Sequence, residues 1–281
     1  MTQNSFFLNF IKSDIAHFLN EDQLGVNHHY LHTLPTKLVE CHLKIKSDLM
    51  LCGLPYFTNA FIYLGAEQGI LEIEKNEGKN FCKDDIIKFK LPFNIALSGE
   101  RVALNLLQRA SSIATFTSKF VEKANKLQIK ILDTRKTTPG LRSLEKYAVR
   151  VGGGYNHRFT QMDVFMIKDN HKNYFGSLKN AFNYFHSQQN FYLPIMAEIH
   201  SLDELKSAIE LGIDHVMLDN FSKENIQKAI SLKKNKMTFE ISGGVNLNNL
   251  DQFLVEGIDV ISIGALTHSA PHVDLSLKLY R

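Results

Sequence analysis

Along the second half of the chain a short apolar run, a polar or glycine-rich end and a helix-length amphipathic segment follow one another repeatedly. The apolar runs cover residues 129–132, 164–167, 193–197, 215–218, 237–239 and 260–263. Strand and helix in alternation predict a parallel sheet, because each helical crossover returns the chain to start the next strand in the same direction. When such units close into a barrel, the strand C-termini converge on one mouth, where side chains of several strands act on one ligand. Here those ends carry chemistry: Asp133-Thr134-Arg135-Lys136, Lys168-Asp169-Asn170-His171, Glu198, Asp219-Asn220, Glu240-Ile241-Ser242-Gly243-Gly244 and Gly264. Strands that end on Arg, Lys, Glu, Asp and Gly predict an enzyme for a highly charged substrate.

Residues 1 to about 100 carry a different pattern. Over 6–19, Phe7, Phe10, Ile11, Ile15, Phe18 and Leu19 keep helical spacing. Strand-length stretches follow at 49–52, 60–64, 70–74 and 86–91, divided by the turn signals Gly53-Leu54-Pro55, Gly65 and Glu77-Gly78-Lys79. They predict an α+β domain of antiparallel pairs. A long helix is then expected from Ser98 as N-cap, with Glu100 in its first turn and Val102, Leu106, Ile113, Phe120, Ala124 and Leu127 at helical spacing. That helix forms the hinge. It divides the chain into a domain over 1–106 and a barrel domain over 107–270, with the short tail 271–281 assigned back to the first.

Composition narrows the class. With 44% hydrophobic and 22% charged residues in 281, the chain has the make-up of a soluble globular protein. A net charge of +3 is too small for nucleic-acid binding by bulk electrostatics. The three cysteines lack CxxC spacing, which excludes a zinc ribbon or disulfide framework and points to free thiols in a reducing compartment. Residues 1–14 show no secretory signal, and no run reaches the ~18 apolar residues of a membrane span. A cytoplasmic protein is expected, with neither nucleic acid nor membrane as partner.

Local clusters supply the candidate chemistry. Ser242-Gly243-Gly244, read as preceding a helix near Asn248, and Gly264-Ala265-Leu266-Thr267-His268 end consecutive strands. Glycines there let backbone N–H groups approach an anion, and barrel phosphate sites use the last two loops. Arg135, Lys136 and Arg142 cluster after one strand, His157 and Arg158 follow Gly152-Gly153-Gly154, and Lys168 ends another strand. A charge cluster is most often a solvated face, but these cations stand at strand ends and in glycine-rich loops. They favour a substrate with several carboxylates or phosphates. Glu198 and Asp219 have three candidate tasks: holding ribose hydroxyls, binding Mg²⁺ through oxygen, or stabilising a developing cation. Each is equally well read as the structural partner of a lysine. His28, His29 and His32 read as spare histidines of a surface loop, and His200 carries no signal.

The stretches ILDTRKTTPGLRSLEKYAVRVGGGYNHR (131–158), IKDNH (167–171), LDN (218–220), EISGGV (240–245) and DVISIGALTHSAPHVDLSLK (259–278) strongly resemble quinolinate phosphoribosyltransferases. ALSGERVALNLLQRASSIAT (96–115) is similar to that family's linking helix. Motifs in this order are highly specific, whereas residues 1–95 match only loosely. The resemblance implies a type II phosphoribosyltransferase architecture, an N-terminal α/β sandwich domain with an incomplete α/β barrel. It also implies the reaction of quinolinate with phosphoribosyl pyrophosphate in de novo NAD biosynthesis, which gives nicotinate mononucleotide, pyrophosphate and CO₂ and uses Mg²⁺. Arg135, His157, Arg158 and Lys168 are then similar to the quinolinate-binding set. Arg101 corresponds to an arginine that reaches the neighbouring subunit's site, which implies a homodimer with shared sites, or a hexamer of such dimers. Lys136 and Lys168 resemble the pyrophosphate contacts, and Glu198 and Asp219 the ribose and metal-side carboxylates. Ser242, Gly243, Gly244, Gly264 and His268 resemble the 5′-phosphate cradle. The resemblance thus gives catalytic roles to Lys136, Lys168, Glu198 and Asp219, with Mg²⁺ held mainly by the pyrophosphate near the two carboxylates.

The chain departs from the family pattern in Asn27-His28-His29-Tyr30, in Ser111-Ser112 for Ser-Gly, in Met196 for an acid, and in Thr160-Gln161 for Gly-Leu. None of these removes an assigned charge. Two rivals stay open: a phosphoribosyltransferase with another acceptor, such as nicotinate, and a catalytically silent barrel that binds phosphoribosyl ligands. The intact Arg135, His157, Arg158 and Lys168 favour a dicarboxylate, and Glu198 with Asp219 beside them favours catalysis.

Overall fold

The computed structural model describes residues 5–22, 29–234 and 236–281. The chain forms two compact units, one of residues 1–116, 143–152 and 270–281, the other of 117–142 and 153–269. The division falls at Phe116 rather than after residue 106, and residues 143–152 count with the first unit.

In the first unit, α1 (Ser5–Leu19) turns Ile11, Ile15, Phe18 and Leu19 into the core. Phe7 and Phe10, which the pattern gives to the same face, have side chains outside the described set, and His28 lies outside the described residues. A short helix, α2 (His29–Thr33), stands where a loop is expected. β1 (Leu38–Ile45) buries Val39, Cys41, Leu43 and Ile45 at the period of a half-buried strand. β2 (Leu49–Met50) leads into α3 (Leu54–Tyr63).

Two expectations fail in this stretch. Residues 60–64, read as a strand, belong largely to α3. Residues 54–61 are all buried, so the run shows no helical stripe, while Gly53 in the left-handed region and Pro55 in the first turn start a helix. Residues 70–74 lie in a 3₁₀ segment, Gln68–Asn76.

β3 (Asn80–Phe81) pairs with β2, and β4 (Ile86–Pro92) pairs antiparallel with β1. α4 (Phe93–Ala124) begins directly after that strand, so Ser98 is a buried interior residue of the helix and caps nothing.

Then follow β5 (Lys130–Leu132), α5 (Arg142–Val151), β6 (Phe165–Ile167), α6 (Asp169–Phe175), α7 (Leu178–Gln188) and β7 (Ile195–Ile199). α8 (Leu202–Glu210), β8 (His215–Asp219), α9 (Lys223–Leu232), β9 (Thr238–Ser242), β10 (Val260–Ser262), α10 (Ala265–His268) and β11 (Leu275–Tyr280) complete the chain. β11 pairs with β1 on the edge opposite β4, giving a three-stranded antiparallel sheet. Serines start three of the helices: the Oγ atoms of Ser177, Ser201 and Ser222 accept the N–H groups of Asn180, Glu204 and Asn225. The helix expected near Asn248 is only a 3₁₀ turn, Leu250–Gln252.

All six apolar runs of the second half are strands of one parallel sheet, ordered β5-β10-β9-β8-β7-β6. First and last strands in sequence pair, while β5 and β6 remain edges, so the barrel is incomplete. Alternate residues share a face. On one face Met166, Met196 and Met217 pack together with Val164, and two residues further along the same strands stand Lys168, Glu198 and Asp219. An apolar layer therefore lies beneath a charged mouth.

Candidate active site

The strand C-termini of the second unit surround a cleft of about 610 Å³. Thr134, Arg135 and Lys136 enter it after β5, and His157 and Arg158 from the loop before β6. Met166 and Lys168 come from β6, Glu198 from β7, and Met217 and Asp219 from β8. Ser242, Gly243 and Gly244 follow from β9, and Gly264 and His268 from beyond β10.

The cationic wall is held by a buried acid. Asp133 is fully buried and accepts the His157 N–H at 2.9 Å and Asn156 Nδ2 at 2.5 Å. Tyr155 extends the sheet by a parallel bridge to Leu132, its N–H donating to the Ile131 carbonyl at 2.8 Å. The loop is thereby fixed against β5, and Arg158 follows from it. Arg158 Nη1 donates to the Val164 carbonyl at 2.9 Å. Burial first, and then the nearby Arg135, lower its pKa, a shift that leaves a guanidinium charged at neutral pH. Arg135 Nε is buried without a hydrogen-bond partner among the described residues. Arg142, at the start of α5, ties two loops together: Nε donates to Thr137 Oγ1 after β5 and Nη1 to the Phe159 carbonyl before β6.

Opposite charges meet at the ends of β6, β7 and β8. Lys168 Nζ stands 2.5 Å from Glu198 Oε2. The Lys168 N–H donates to His171 Nδ1 at 2.9 Å, and burial together with Lys168 lowers the pKa of that ring, which favours the neutral acceptor form. Lys172, buried, donates to the Glu198 carbonyl and to both oxygens of Glu204, fixing the backbone of β7 from behind. Burial and the neighbouring Glu198 raise the pKa of Asp219. The His200 ring lies among three carboxylates: Nε2 is 2.7 Å from Asp169 Oδ1 and 3.8 Å from Glu198 Oε1, and Nδ1 is 3.6 Å from Asp219 Oδ2.

The glycine loops are shaped by their neighbours. Gly243 has φ +98°, and a Cβ there would stand 2.2 Å from Asn220 Oδ1. Asn220, itself left-handed at φ 55°, donates its N–H to the Ser242 carbonyl and its Nδ2 to Asp219 Oδ2. At Gly264 a Cβ would meet His268 Nε2 and Lys136 Cδ, each at 3.1 Å. Thr267 Oγ1 donates to the Lys136 carbonyl at 2.8 Å and so ties the loops after β5 and β10 together.

Twelve of the residues singled out in the sequence line this cleft; Arg101 does not. It belongs to the first unit, exposed in the third turn of α4 rather than the first, because the helix begins at Phe93. Sequence reasoning named Asp169, Asn220 and Glu240 at strand ends without giving them a task, and it passed over His200. For Glu240 the signal was present: it lies two residues before Ser242, at the alternation that puts both on one face of β9. Asp169, Glu198 and His200 place one ligand atom each within 4.8 Å of one another. Their carboxylates and that of Asp219 are hard oxygen donors of the kind Mg²⁺ takes, so the donor set fits the ion.

Two family models match nearly the whole chain: the N-terminal domain of quinolinate phosphoribosyl transferase over residues 29–111 and its C-terminal domain over 113–278. A probable carboxylating nicotinate-nucleotide pyrophosphorylase of Bacillus subtilis is 41% identical over 242 residues, 85% of this chain and 83% of that protein. The carboxylating nicotinate-nucleotide pyrophosphorylase of Rattus norvegicus is 40% identical over 270 residues, 94% of this chain and 89% of that protein. The crystal structure of NadC from Streptococcus pyogenes superposes with a TM-score of 0.88 at 35% identity, covering 100% of this chain and 99% of that one. The chain belongs to the quinolinate phosphoribosyltransferase family.

Proposed function

We propose that the cleft joins quinolinate to the ribosyl group of phosphoribosyl pyrophosphate and releases CO₂, giving nicotinate mononucleotide and pyrophosphate for NAD biosynthesis. The observation that carries this is a single cleft with a cationic wall, a carboxylate wall and two glycine loops. Each matches one part of the substrates. Arg135, Arg158 and Lys168 supply donors for two pyridine carboxylates, with His157 among them. Lys136 and Lys168 take the pyrophosphate, and Ser242, Gly243, Gly244, Gly264 and His268 hold the 5′-phosphate.

The quinolinate ring nitrogen attacks the anomeric carbon as the C–O bond to pyrophosphate breaks. Positive charge develops on the ribose, and Glu198 and Asp219 stabilise it while holding the hydroxyls. The anionic partners repel one another in water, so their positioning by fixed cations is the larger contribution. The ring nitrogen is then a pyridinium, which holds the electron pair left at C2 when CO₂ departs, and C2 takes a proton. Glu198, Asp219 and Asp169 would hold Mg²⁺, which when bound offsets the charge of the leaving pyrophosphate.

Arg101 is assigned to the site of a partner subunit in a homodimer, a role consistent with its exposed position on α4. A cytoplasmic location suits the three unpaired cysteines, of which Cys41 is buried with its thiol pushed up to about 12. Among the described residues no helix is long and apolar enough to cross a membrane.

The assay follows nicotinate mononucleotide and CO₂ from quinolinate, phosphoribosyl pyrophosphate and Mg²⁺. Nicotinate, which lacks the 2-carboxylate, leaves cationic donors unpaired, and its kcat/KM is expected to be at least about 100-fold lower. Comparable turnover of nicotinate overturns the assignment of the acceptor.

A further inference from the structure

Lys172 is a buried lysine to which the transfer chemistry gives no task. It stands on α6, one turn beyond Lys168, and it does not line the cleft. A lysine taken out of water is costly unless acids and acceptors compensate it. Here its Nζ lies 2.9 Å from Asp169 Oδ1 and donates to Glu204 Oε1 and Oε2 at 3.1 and 3.0 Å. It donates as well to the Glu198 carbonyl, at 3.1 Å.

That last bond falls where the sheet runs out. β6 pairs with β7 only as far as Ile167 opposite Ala197, because the chain turns into α6 after Lys168. Glu198, one residue further, is still paired with Met217 of β8 but has no residue of β6 across from it. The Lys172 ammonium therefore supplies the donor that another residue of β6 would have given. The same pair holds the next turn of the chain: Glu204, gripped by Lys172, accepts the His200 N–H through Oε2 at 2.8 Å. Backbone on both sides of Ile199 is thus fixed by one lysine and one glutamate. The carboxylate of Glu198 meanwhile stands in the cleft, 2.5 Å from Lys168 Nζ.

We infer that Lys172, together with Glu204, is a positioning residue: it anchors the frayed end of β7 and so holds the Glu198 carboxylate where charge develops on the ribose. The inference rests on the reading of Glu198 as the carboxylate that stabilises that charge. Neither Lys172 nor Glu204 lines the cleft, so their effect on the reaction passes through β7.

The test uses the full chain and Lys172→Met, which keeps the length of the side chain and removes the ammonium. Backbone amides of residues 198–200 should exchange with solvent about tenfold faster, and those of 215–219 within about twofold of wild type. The kcat should fall about tenfold, with the KM for quinolinate within about twofold, since Glu198 acts in the transition state and not on the acceptor. In a Glu198→Ala background the same substitution should change kcat by less than about twofold, because no carboxylate is left to place. Unchanged exchange or unchanged kcat in folded Lys172→Met overturns the inference. A tenfold loss that persists in Glu198→Ala also overturns it, since Lys172 then acts through Asp169 or the fold. If Lys172→Met does not fold, Lys172→Met/Glu204→Gln takes its place in the same cycle; it removes both charges and keeps an amide oxygen for the His200 N–H. Failure of the wild type to form nicotinate mononucleotide defeats the reading of the cleft, whereas amide exchange reports on Lys172 and β7 without turnover.

Discussion

Gly243 and Asn220 share a volume too small for both a Cβ and a side-chain amide. A Cβ on Gly243 would stand 2.2 Å from Asn220 Oδ1 and 2.6 Å from its Cγ, at a φ that disfavours any L side chain. Gly243→Ala must therefore displace Asn220 and release the carboxylate of Asp219 that Asn220 steadies. The expected outcome is a loss of roughly 1–3 kcal/mol in stability and about a 100-fold fall in kcat/KM for phosphoribosyl pyrophosphate. Urea melts and initial-rate kinetics measure both, and kinetics within a few-fold of wild type would take the phosphate away from this loop. Lys168 and Glu198 make a second residue-scale test because they contact each other. Lys168→Ala and Glu198→Ala should each remain folded and lose about 100- to 1,000-fold in kcat, the lysine through the anions and the glutamate through the developing cation. The double variant should be little worse than either single one. At this scale the strand-end residues were legible because apolar runs stop there. His200 was not, since β7 continues to Ile199 and the face it shares with Glu198 emerges only once that end is known.

Helix starts in the first unit rest on buried polar atoms. Glu77 accepts the Gly53 N–H through Oε1 and the Leu54 N–H through Oε2, each at 2.8 Å, and Tyr147 Oη donates to Oε1 at 2.9 Å. It thus caps α3 from 23 residues away in sequence. Burial nonetheless keeps its pKa above the ordinary value, those donors lowering it only in part. The folded state then binds the proton more tightly than the unfolded one, so the contribution of Glu77 is fully present below the unfolded pKa, about 4.3, and declines as pH rises through the raised folded value. Glu77→Ala should cost about 2–3 kcal/mol by orphaning two N–H groups, with the larger loss in acid. Denaturant melts at about pH 4 and about pH 8 read the sign. Ser111 makes a comparable clamp: its Oγ accepts the Cys52 N–H and donates to the Cys52 carbonyl, both buried. Elements were legible where one face met water, as in α7, α8 and α9 with their serine caps. They were obscured in α3, where residues 54–61 are buried on every side and helix and strand leave the same mark.

At the scale of the molecule, contacts ignore the linear order in which a sequence is read. β11 joins β1 from the far end of the chain, and residues 143–152 count with the first unit although they lie between stretches of the second. Sequence alone returned the tail 271–281 to the first unit, because it is too short to stand alone, but nothing in the linear order marks 143–152 for the same return. Arg101 poses the largest question of this kind, because its assigned site belongs to another copy of the chain. Exposed on α4 and absent from the lining of the cleft, it has the surroundings of an ordinary surface arginine. If it completes a partner's site, Arg101→Ala is inactive as a homodimer, and so is Lys168→Ala. After subunit exchange, a mixed dimer holds one site with both residues intact and one with neither. Equal mixing makes half of the dimers mixed, each with one good site of two, so activity should return to about one quarter of wild type. Tagged pull-down establishes that exchange took place, and denaturation melts establish that both variants fold. Exchange without recovery would confine Arg101 to its own subunit. Full activity of the Arg101→Ala homodimer would leave it a solvated helix residue and remove the reason for sharing sites.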